Sequence, residues 1–244
     1  TGGLNWHLHA FQSRHRWLAT AQALAAYLDG IQPQRRHLLL IGASAGWMMP
    51  PSFLQRFDRI DAYDIDPLAG LWFRARHAKH LRAHGVALRY HRCDAIAQLP
   101  DLLAQHPQAC VWFDNLLGQL RYRFGDTDAA QARLHQLHHD LRGHPWGSVH
   151  DAYSGRVRAH PTAINAPLAL AFERNTSGVV HAGRTFTHSD WAQHLLASVG
   201  AEGEWLDLLT ADLLPPPTPG QMIPWAFKPR HWHWLQAGWV KNAN

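Results

Sequence analysis

Cysteine and long apolar runs are both scarce in this chain. Its 244 residues include only two cysteines, Cys93 and Cys110, and neither has a partner at the spacing of a metal site. We expect both to be buried, reduced thiols. No run approaches the ~18 uncharged apolar residues of a membrane helix. The sequence therefore predicts no metal centre and no membrane partner.

A basic-then-apolar leader is also missing, so we expect a cytoplasmic protein. The net charge is +5, yet no run of five or more Lys and Arg residues occurs, and charge alone does not argue for nucleic-acid binding. Histidine is abundant, with 20 residues, which would raise the charge steeply below about pH 6.5. Hydrophobic residues make up 46% of the chain, which is ordinary for a globular protein with a good core.

The most informative stretch begins with the apolar run Leu38–Ile41, which leads at once into Gly-Ala-Ser-Ala-Gly at 42–46. A second apolar run, 60–65, carries Asp64 near its end, about 20 residues after the first glycine. A buried strand, a glycine turn, a short helix and a strand with a terminal carboxylate form half of a nucleotide-binding βαβ unit. Small residues let a ligand approach the backbone, and we expect N–H groups at the helix start to face it.

Apolar strand patterns alternate with helical patterns through the first 150 residues. The predicted strands are 37–41, 60–65, 87–91, 109–113 and 147–150. Strict alternation predicts an α/β fold with a Rossmann-like, doubly wound, mostly parallel sheet. The first strand must then be interior, because the glycine loop belongs at the point where the strand order reverses.

The C-terminal third predicts a different arrangement. We expect a sixth strand at about 204–209, a loop over Ala211–Pro229 that contains three consecutive prolines, and a last strand at His231–Val240. No helix separates the last two strands, so they should pair as an antiparallel hairpin. The sheet would then be seven-stranded.

We expect one domain over residues 1–244, with an N-terminal helical cap at 1–32 and a Rossmann-like core at 33–244. The pattern weakens between about 156 and 184, which we interpret as an insertion over the C-terminal edge of the sheet, where such folds bind ligands. This insertion and the segment Trp6–Arg14 are expected to close an acceptor pocket.

Four motifs follow in order, each at a strand end: Gly42, Ala43, Ser44 and Gly46 in the glycine loop, then Asp64 and Ile65, then Asp94, Ala95 and Ile96, and last Asp114 and Asn115. These motifs resemble those of the class I S-adenosylmethionine-dependent methyltransferases. The resemblance implies S-adenosyl-L-methionine as cofactor, approached by the glycine loop, with Asp64 on its ribose, Asp94 on the adenine amino group, the backbone after Asp94 against the adenine ring, and Asp114 and Asn115 beside the methionine part. The family usually has glycine where this chain has Ser44, and a Cβ is tolerable there if φ is negative.

The resemblance implies methyl transfer, for which in-line placement of the acceptor and exclusion of water matter most. A base is needed only if the acceptor must lose a proton. The candidate catalytic residues at the relevant strand ends are Asp114, Asn115, His150, Asp151 and Tyr153. The segment 114–117 lacks the Pro-Pro-aromatic run that marks amino methylation of DNA bases or glutamine, so we favour a small-molecule acceptor over protein or RNA.

Three other interpretations stay open at this point. The glycine turn also matches G-x-S-x-G, the nucleophile elbow of α/β-hydrolases, with Ser44 as nucleophile. That elbow normally follows several strands, and a hydrolase gives Asp64 and Asp94 no role. A nicotinamide-binding enzyme would lack its third glycine. A catalytically inactive relative that binds an adenosyl nucleotide is the third possibility.

Overall fold

The computed structural model describes residues 3–125, 127–158 and 168–241. Its helices are α1 (Leu4–Ser13), α2 (Leu18–Asp29), α3 (Pro51–Leu54), α4 (Ala69–Ala83), α5 (Leu99–Gln105), α6 (Leu120–Phe124), α7 (Thr127–Asp140) and α8 (His188–Ser198), with a 3₁₀ turn at Leu117–Gln119. Its strands are β1 (His37–Ile41), β2 (Arg59–Asp64), β3 (Ala87–Arg92), β4 (Ala109–Asp114), β5 (Trp146–Val157), β6 (Leu170–Asn175), β7 (Gly178–His181), β8 (Arg184–Phe186), β9 (Ala201–Asp207), β10 (Thr218–Lys228) and β11 (His231–Val240).

A single mixed sheet organises the molecule. The described strands number eleven, in the order β3-β2-β1-β4-β5-β11-β10-β6-β7-β8, with β9 beside β5. The fold class is α/β as expected, but the expected count of seven strands is wrong. The first five strands are mutually parallel and β1 lies between β2 and β4, so the strand order reverses at the glycine loop as predicted.

Burial on both faces explains why β1 and its neighbours could be recognised. The side chains of Leu38–Ile41 are fully buried. Leu38 and Leu40 pack with α2, α3 and α4 on one face, and Leu39 and Ile41 pack with α5, α7 and α8 on the other. Parallel strands covered on both faces are continuously apolar, which is the pattern the sequence shows.

The C-terminal third differs from the prediction. β9 pairs antiparallel with β5, and the hairpin partner of β11 is β10, which lies within the segment expected to be a loop. Prolines in that segment caused the error, since a proline cannot donate to a sheet ladder. Pro219 pairs only with β6 and Pro224 only with β11, so each sits where one side of the strand has no ladder to break.

The region expected to be an insertion is only partly described, because residues 159–167 lie outside the described ranges. Beyond them, β6, β7 and β8 add three antiparallel strands next to β10 and widen the sheet at that edge. Across the described ranges, no helix is long and apolar enough to cross a membrane. Cys93 and Cys110 are both free thiols, with Cys110 buried.

Candidate active site

A cavity of about 340 Å³ lies where the carboxyl ends of β1, β2 and β4 meet. Its volume is in the range of small-molecule pockets. The residues that line it come from α1, the glycine loop, these strand ends, the 3₁₀ turn and β10: Gly3, Trp6, Trp17, Gly42, Ser44, Trp47, Met48, Asp64, Ile65, Asp66, Pro67, Asp114, Asn115, Leu116, Gln119 and Trp225. Open α/β sheets bind their ligands at this position.

The glycine loop turns sharply at three residues with positive φ: 73° at Gly42, 44° at Ser44 and 59° at Gly46. A Cβ at Gly42 would stand 2.9 Å from Leu116 Cβ, and one at Gly46 would stand 2.6 Å from His77 Nε2. Both glycines are therefore required by packing inside the protein. Ser44 does not have the negative φ that would make its Cβ tolerable, so this position stores backbone strain.

The short helix expected after the glycine loop is present, but it does not begin at the loop itself. α3 begins at Pro51, five residues beyond Gly46, and has only four residues. The segment between them contributes Trp47 and Met48 to the cavity wall instead. No residue of α3 lines the cavity, so we expect donors to a ligand to come from the loop backbone.

Three hydrogen bonds hold Ser44 in its strained conformation. Its backbone N–H donates to Asp64 Oδ2 at 2.8 Å, its Oγ accepts from Trp6 Nε1 at 3.2 Å, and its carbonyl accepts from Tyr90 Oη at 2.9 Å. A hydrolase nucleophile needs an imidazole beside its hydroxyl. In the described residues the Ser44 hydroxyl is bonded to an indole instead, which argues against the hydrolase interpretation.

Asp64 stands at the end of β2 with both carboxylate oxygens facing backbone donors. Oδ2 accepts from Ser44 N, and Oδ1 accepts from Asp66 N at 2.8 Å. Burial raises the pKa of this carboxyl. Each carboxylate oxygen has a further lone pair, so Asp64 keeps the capacity to accept bonds from two ligand hydroxyls.

Asp114 and Asn115 follow at the end of β4. Burial, and after it the nearby charge of Asp64, raises the pKa of Asp114 to about 7. No described residue donates a hydrogen bond to its carboxylate. Asn115 has φ 51°, its N–H donates to Val149 O at 2.8 Å, and its Oδ1 is buried with no partner.

Two buried polar atoms on the cavity wall are thus left for a ligand, because Trp225 Nε1 is unpaired like Asn115 Oδ1. An unpaired buried polar group costs about 1–3 kcal/mol. Among the described residues that line the cavity there are three carboxylates and no Lys or Arg side chain, so the cavity favours a ligand with donors and positive charge. S-adenosyl-L-methionine, with ribose hydroxyls, an ammonium group and a sulfonium, fits these requirements.

Indole rings form the opposite wall of the cavity. Trp17 packs between Trp6 and Trp225. Its ring centroid lies 5.9 Å from that of Trp6 and 5.0 Å from that of Trp225. α1 is fixed over this wall by polar contacts, since Gly3 N donates to Asp66 and His7 Nε2 lies 3.2 Å from Asp66 Oδ2. The segment expected to help close the pocket, Trp6–Arg14, therefore does contribute to it.

Several residues named from the sequence lie outside the cavity. Asp94 pairs with Arg123 and accepts from Ala97 N at 3.2 Å. The two residues that follow it, Ala95 and Ile96, are buried in the core, and neither they nor Ala43 and Gly46 line the cavity. The structure thus brings together Gly42, Ser44, Asp64, Ile65, Asp114 and Asn115, but not the expected adenine residues.

The candidate bases on β5 are buried away from the cavity. His150 hydrogen-bonds Ser148, Thr210 O and Gln236, and burial lowers its pKa to about 4. Asp151 contacts His233 Nδ1 at 3.0 Å. Tyr153 is also buried, and burial raises its pKa. Their positions in the described structure favour packing roles over contact with a substrate in the cavity.

The sequence reasoning missed Trp17, Trp47, Met48, Asp66 and Gln119 as cavity residues. The position of Trp47 could have indicated its role, because a residue directly after a glycine loop stays close to the ligand that the loop approaches. Trp17 and Gln119 had none, since their approach to the cavity depends on how α1, α2 and the 3₁₀ turn pack against the sheet.

No family model and no curated protein matches the sequence. Similar solved structures include the magnesium protoporphyrin IX methyltransferase of Synechocystis with bound S-adenosylmethionine, 14% identical over 98% of this chain and 86% of that chain, with a TM-score of 0.42. A glycopeptide N-methyltransferase, also with bound S-adenosylmethionine, is 12% identical over 91% and 94%, with a TM-score of 0.39. An S-adenosylmethionine-dependent methyltransferase from Anabaena variabilis is 9% identical over 97% and 93%, with a TM-score of 0.46.

All three are methyltransferases. Because the identities are 14% or less and the TM-scores lie below 0.5, we base no statement about activity or substrate on these similarities.

Proposed function

We propose that this chain is an S-adenosylmethionine-dependent methyltransferase that acts on a small-molecule acceptor. The observation that carries the proposal is the group of strand-end residues around one cavity. Asp64 has free acceptor capacity, and among the described residues Asp114 has no donor and Asn115 Oδ1 has no partner. All three stand at the point where the strand order reverses, which is where a nucleotide cofactor binds in such sheets.

The residues that would hold the cofactor differ in chemistry. Asp64 would accept bonds from the ribose hydroxyls, and the backbone of the loop 42–44 would pack beside it. Asn115 and Asp114 would face the positively charged end. When bound, the cofactor supplies a methyl group on a positively charged sulfur, which is already electrophilic. Contact of Asp94, Ala95 and Ile96 with the adenine remains a proposal, for which Asp94 would have to exchange its contact with Arg123.

The chain's own task is placement of the acceptor and exclusion of water. Orientation alone can contribute up to ~7–11 kcal/mol to lowering a barrier. Trp6, Trp17 and Trp225 provide flat apolar walls for the cofactor and the acceptor, and α1 covers the cavity. Asp114 would take a proton from an acceptor that has to lose one, since its pKa of about 7 suits that step near neutral pH.

The position of α1 supports a small acceptor over protein or RNA. α1 lies across the cavity and contributes Trp6 to its wall. A polymer segment would have to displace α1 and break its contacts with Ser44 and Asp66. A single-domain organisation and a cytoplasmic location remain expectations from the sequence.

The test is a pair of variants with opposite outcomes in the two enzyme classes. Charged hydrogen bonds contribute roughly 1.5–3 kcal/mol each, so Asp64→Ala should weaken cofactor binding measured by calorimetry at least ~10-fold. Ser44→Gly should leave binding intact or improve it. Asp58→Ala is the matched control, because Asp58 is exposed and pairs with Arg36 far from the cavity lining.

Generic ester hydrolysis is measured on the same variants. Loss of esterase activity in Ser44→Gly, together with unchanged cofactor affinity in Asp64→Ala, would reject the proposal in favour of a hydrolase. Binding of the cofactor without transfer to any of a broad set of amine, hydroxyl and thiol acceptors would support the inactive relative instead.

A further inference from the structure

Large exposed apolar side chains are concentrated on one part of the surface. Ten such side chains occur in the described ranges, and seven of them belong to α1, the start of α2, the β2–α4 loop and the first turn of α4: Leu4, Leu8, Phe11, Leu18, Ile65, Leu71 and Trp72. Apolar side chains scattered singly need no explanation, but a concentration of this kind marks a binding surface.

The exposed residues of α1 form one face of that helix. Leu4, Leu8 and Phe11 are spaced i, i+4 and i+7, so they share a face, and each is more than half exposed. The opposite face is buried through His7 and Ala10. α1 therefore packs on the protein with one side and presents a second apolar side outward.

α4 lies next to this face. The ring centroids of His7 and Trp72 are 6.0 Å apart, and Gly3 N donates to Asp66 just before α4. Leu71 and Trp72 are exposed on the first turn of α4, and Ile65 is exposed in the loop that leads to it. We refer to these residues of α1, the loop and α4 as the α1–α4 surface.

The exposed charges on the α1–α4 surface have one sign, because Asp66 of the loop is buried and Asp64 lines the cavity. No Asp or Glu occurs from residue 1 to 28 or within α4. The Arg14 guanidinium lies 4.2 Å from the centre of the Phe11 ring. Arg74 follows Leu71 by three positions and Arg76 follows Trp72 by four, so each shares a helix face with an exposed apolar residue.

We infer that the α1–α4 surface binds the headgroup region of an anionic lipid bilayer. Helices that lie in a membrane interface combine Leu, Phe and Trp on one side with Lys and Arg around them, and anionic lipids attract each cation. The sequence predicted no membrane partner because no segment can span a bilayer. Contact with the surface of a bilayer requires no spanning segment.

The combination of features selects this partner over others. Nucleic acid would be attracted by the arginines but gives no reason for exposed Leu8, Phe11 and Leu71. A second copy of the same surface would bring like charges together, since neither α1 nor α4 contains a carboxylate that could balance them. A bilayer accommodates both the apolar groups and the cations.

The cavity lies next to the α1–α4 surface. Gly3, Ile65 and Pro67 line the cavity as well as border the α1–α4 surface. A protein bound through this surface would therefore hold the cavity mouth at the lipid interface. The inference does not depend on methyl transfer, since it rests on exposure and charge alone.

The experiment is co-sedimentation of the full chain with vesicles. We expect binding to vesicles of phosphatidylcholine and phosphatidylglycerol in a 3:1 ratio, at least 10-fold weaker binding to pure phosphatidylcholine, and at least 10-fold weakening between 0.05 and 0.5 M NaCl. Leu8→Glu combined with Phe11→Glu should reduce binding at least 10-fold. Arg14→Gln combined with Arg74→Gln should reduce it similarly.

Matched controls use exposed residues elsewhere. One control replaces two exposed apolar residues outside the α1–α4 surface, Phe124→Glu with Leu168→Glu. The other replaces two exposed arginines outside it, Arg142→Gln with Arg158→Gln. Both should leave vesicle binding unaltered. Absence of binding to anionic vesicles overturns the inference, as does equal loss in the control variants. So does a dimer in solution that Leu8→Glu with Phe11→Glu converts to a monomer without any vesicle binding, because the surface would then belong to a second copy.

Discussion

Ser44 shows how one side chain can couple the glycine loop to the helix above the cavity. Its positive φ is unfavourable for any L-residue with a Cβ, by about 1–2 kcal/mol in the left-handed region. Its hydroxyl in return accepts a hydrogen bond from Trp6 on α1. A glycine at this position would relieve the strain and lose the link to α1.

The first prediction separates these two effects. Ser44→Ala keeps the strained φ and removes the hydroxyl, so we expect a loss of about 0.5–1.5 kcal/mol in the free energy of unfolding. Ser44→Gly loses the same hydrogen bond, and the greater entropy of its unfolded chain also lowers its stability. It relieves the backbone strain as well, and because that effect is larger, the glycine variant should be more stable than the alanine variant by roughly 0.5–1 kcal/mol. Urea unfolding measures both, and an alanine variant that equals or exceeds the glycine variant contradicts the strain.

Asp114 gives a prediction about pH. Its pKa of about 7 exceeds the ordinary value near 3.9, so the folded protein binds a proton that the unfolded chain has lost between those two values. This group therefore lowers stability as pH rises from about 4 to 7. Asp114→Asn should be more stable than the parent by about 1–3 kcal/mol at pH 8, and nearly equal to it at pH 4.

Urea unfolding at the two pH values tests this expectation. Asp58→Asn serves as control for the loss of a carboxylate, since Asp58 is exposed and paired with Arg36 outside the cavity. A constant difference between Asp114→Asn and the parent across this range would show that the carboxyl titrates normally and has no role as a base near neutral pH.

At the scale of helices and strands, local pattern decided what could be predicted. β1 and β4 are continuously apolar and are bounded by turn residues, so both their existence and their positions followed from the sequence. β10 was missed because its prolines oppose the strand assignment locally. Only the pairing on each side of Pro219 and Pro224 shows that they break no ladder, and that pairing is long-range.

Reliance on local pattern also explains why the strand-end residues of the cavity were predicted and its indole wall was not. Gly42, Asp64 and Asp114 stand at strand ends within motifs, so their convergence at one sheet edge follows from topology. The indole wall depends instead on contacts that α1 and α2 make with β10, a strand about 200 residues further along the chain. For example, Trp17 Nε1 donates to Phe227 O at 3.3 Å, a contact with no local signal.

α1 supplies a prediction that compares its two faces. Trp6→Ala with His7→Ala removes the ring from the cavity wall and the contacts with Ser44 and Asp66. If α1 covers the bound cofactor, affinity for S-adenosyl-L-methionine should fall at least ~10-fold, which is 1.4 kcal/mol. Leu8→Ala with Phe11→Ala changes the outer face of the same helix and should leave that affinity unaltered. Calorimetry measures both, and equal affinities in the two double variants would remove α1 from the site.

The whole molecule combines a negatively charged cavity with a positively charged exterior. The carboxylates that line the cavity meet at the sheet edge, while the net charge of the chain is +5. Arg14, directly after α1, and the arginines of α4 lie outside the cavity, and neither helix contains Asp or Glu. A cation or a zwitterion can therefore be held inside a protein whose surface attracts anions.

The histidine content leads to a prediction about the whole fold. Burial lowers the pKa of seven histidines in the described chain, to about 4 for His77 and His150: these are His9, His77, His106, His138, His144, His150 and His231. Between about pH 4 and 6.5 the unfolded chain binds protons at these positions that the folded protein does not, so stability should fall as pH falls through this window. Asp64 and Asp114, whose pKa values are raised, oppose this trend, but they are two groups against seven.

Urea unfolding at pH 7.5, 6.5, 5.5 and 4.5 should therefore show the steepest loss of stability below pH 6.5. Asp114→Asn should steepen this loss further by removing one opposing group. A free energy of unfolding that is constant or rises toward pH 4.5 would mean that these imidazoles reach solvent and protonate without unfolding the protein.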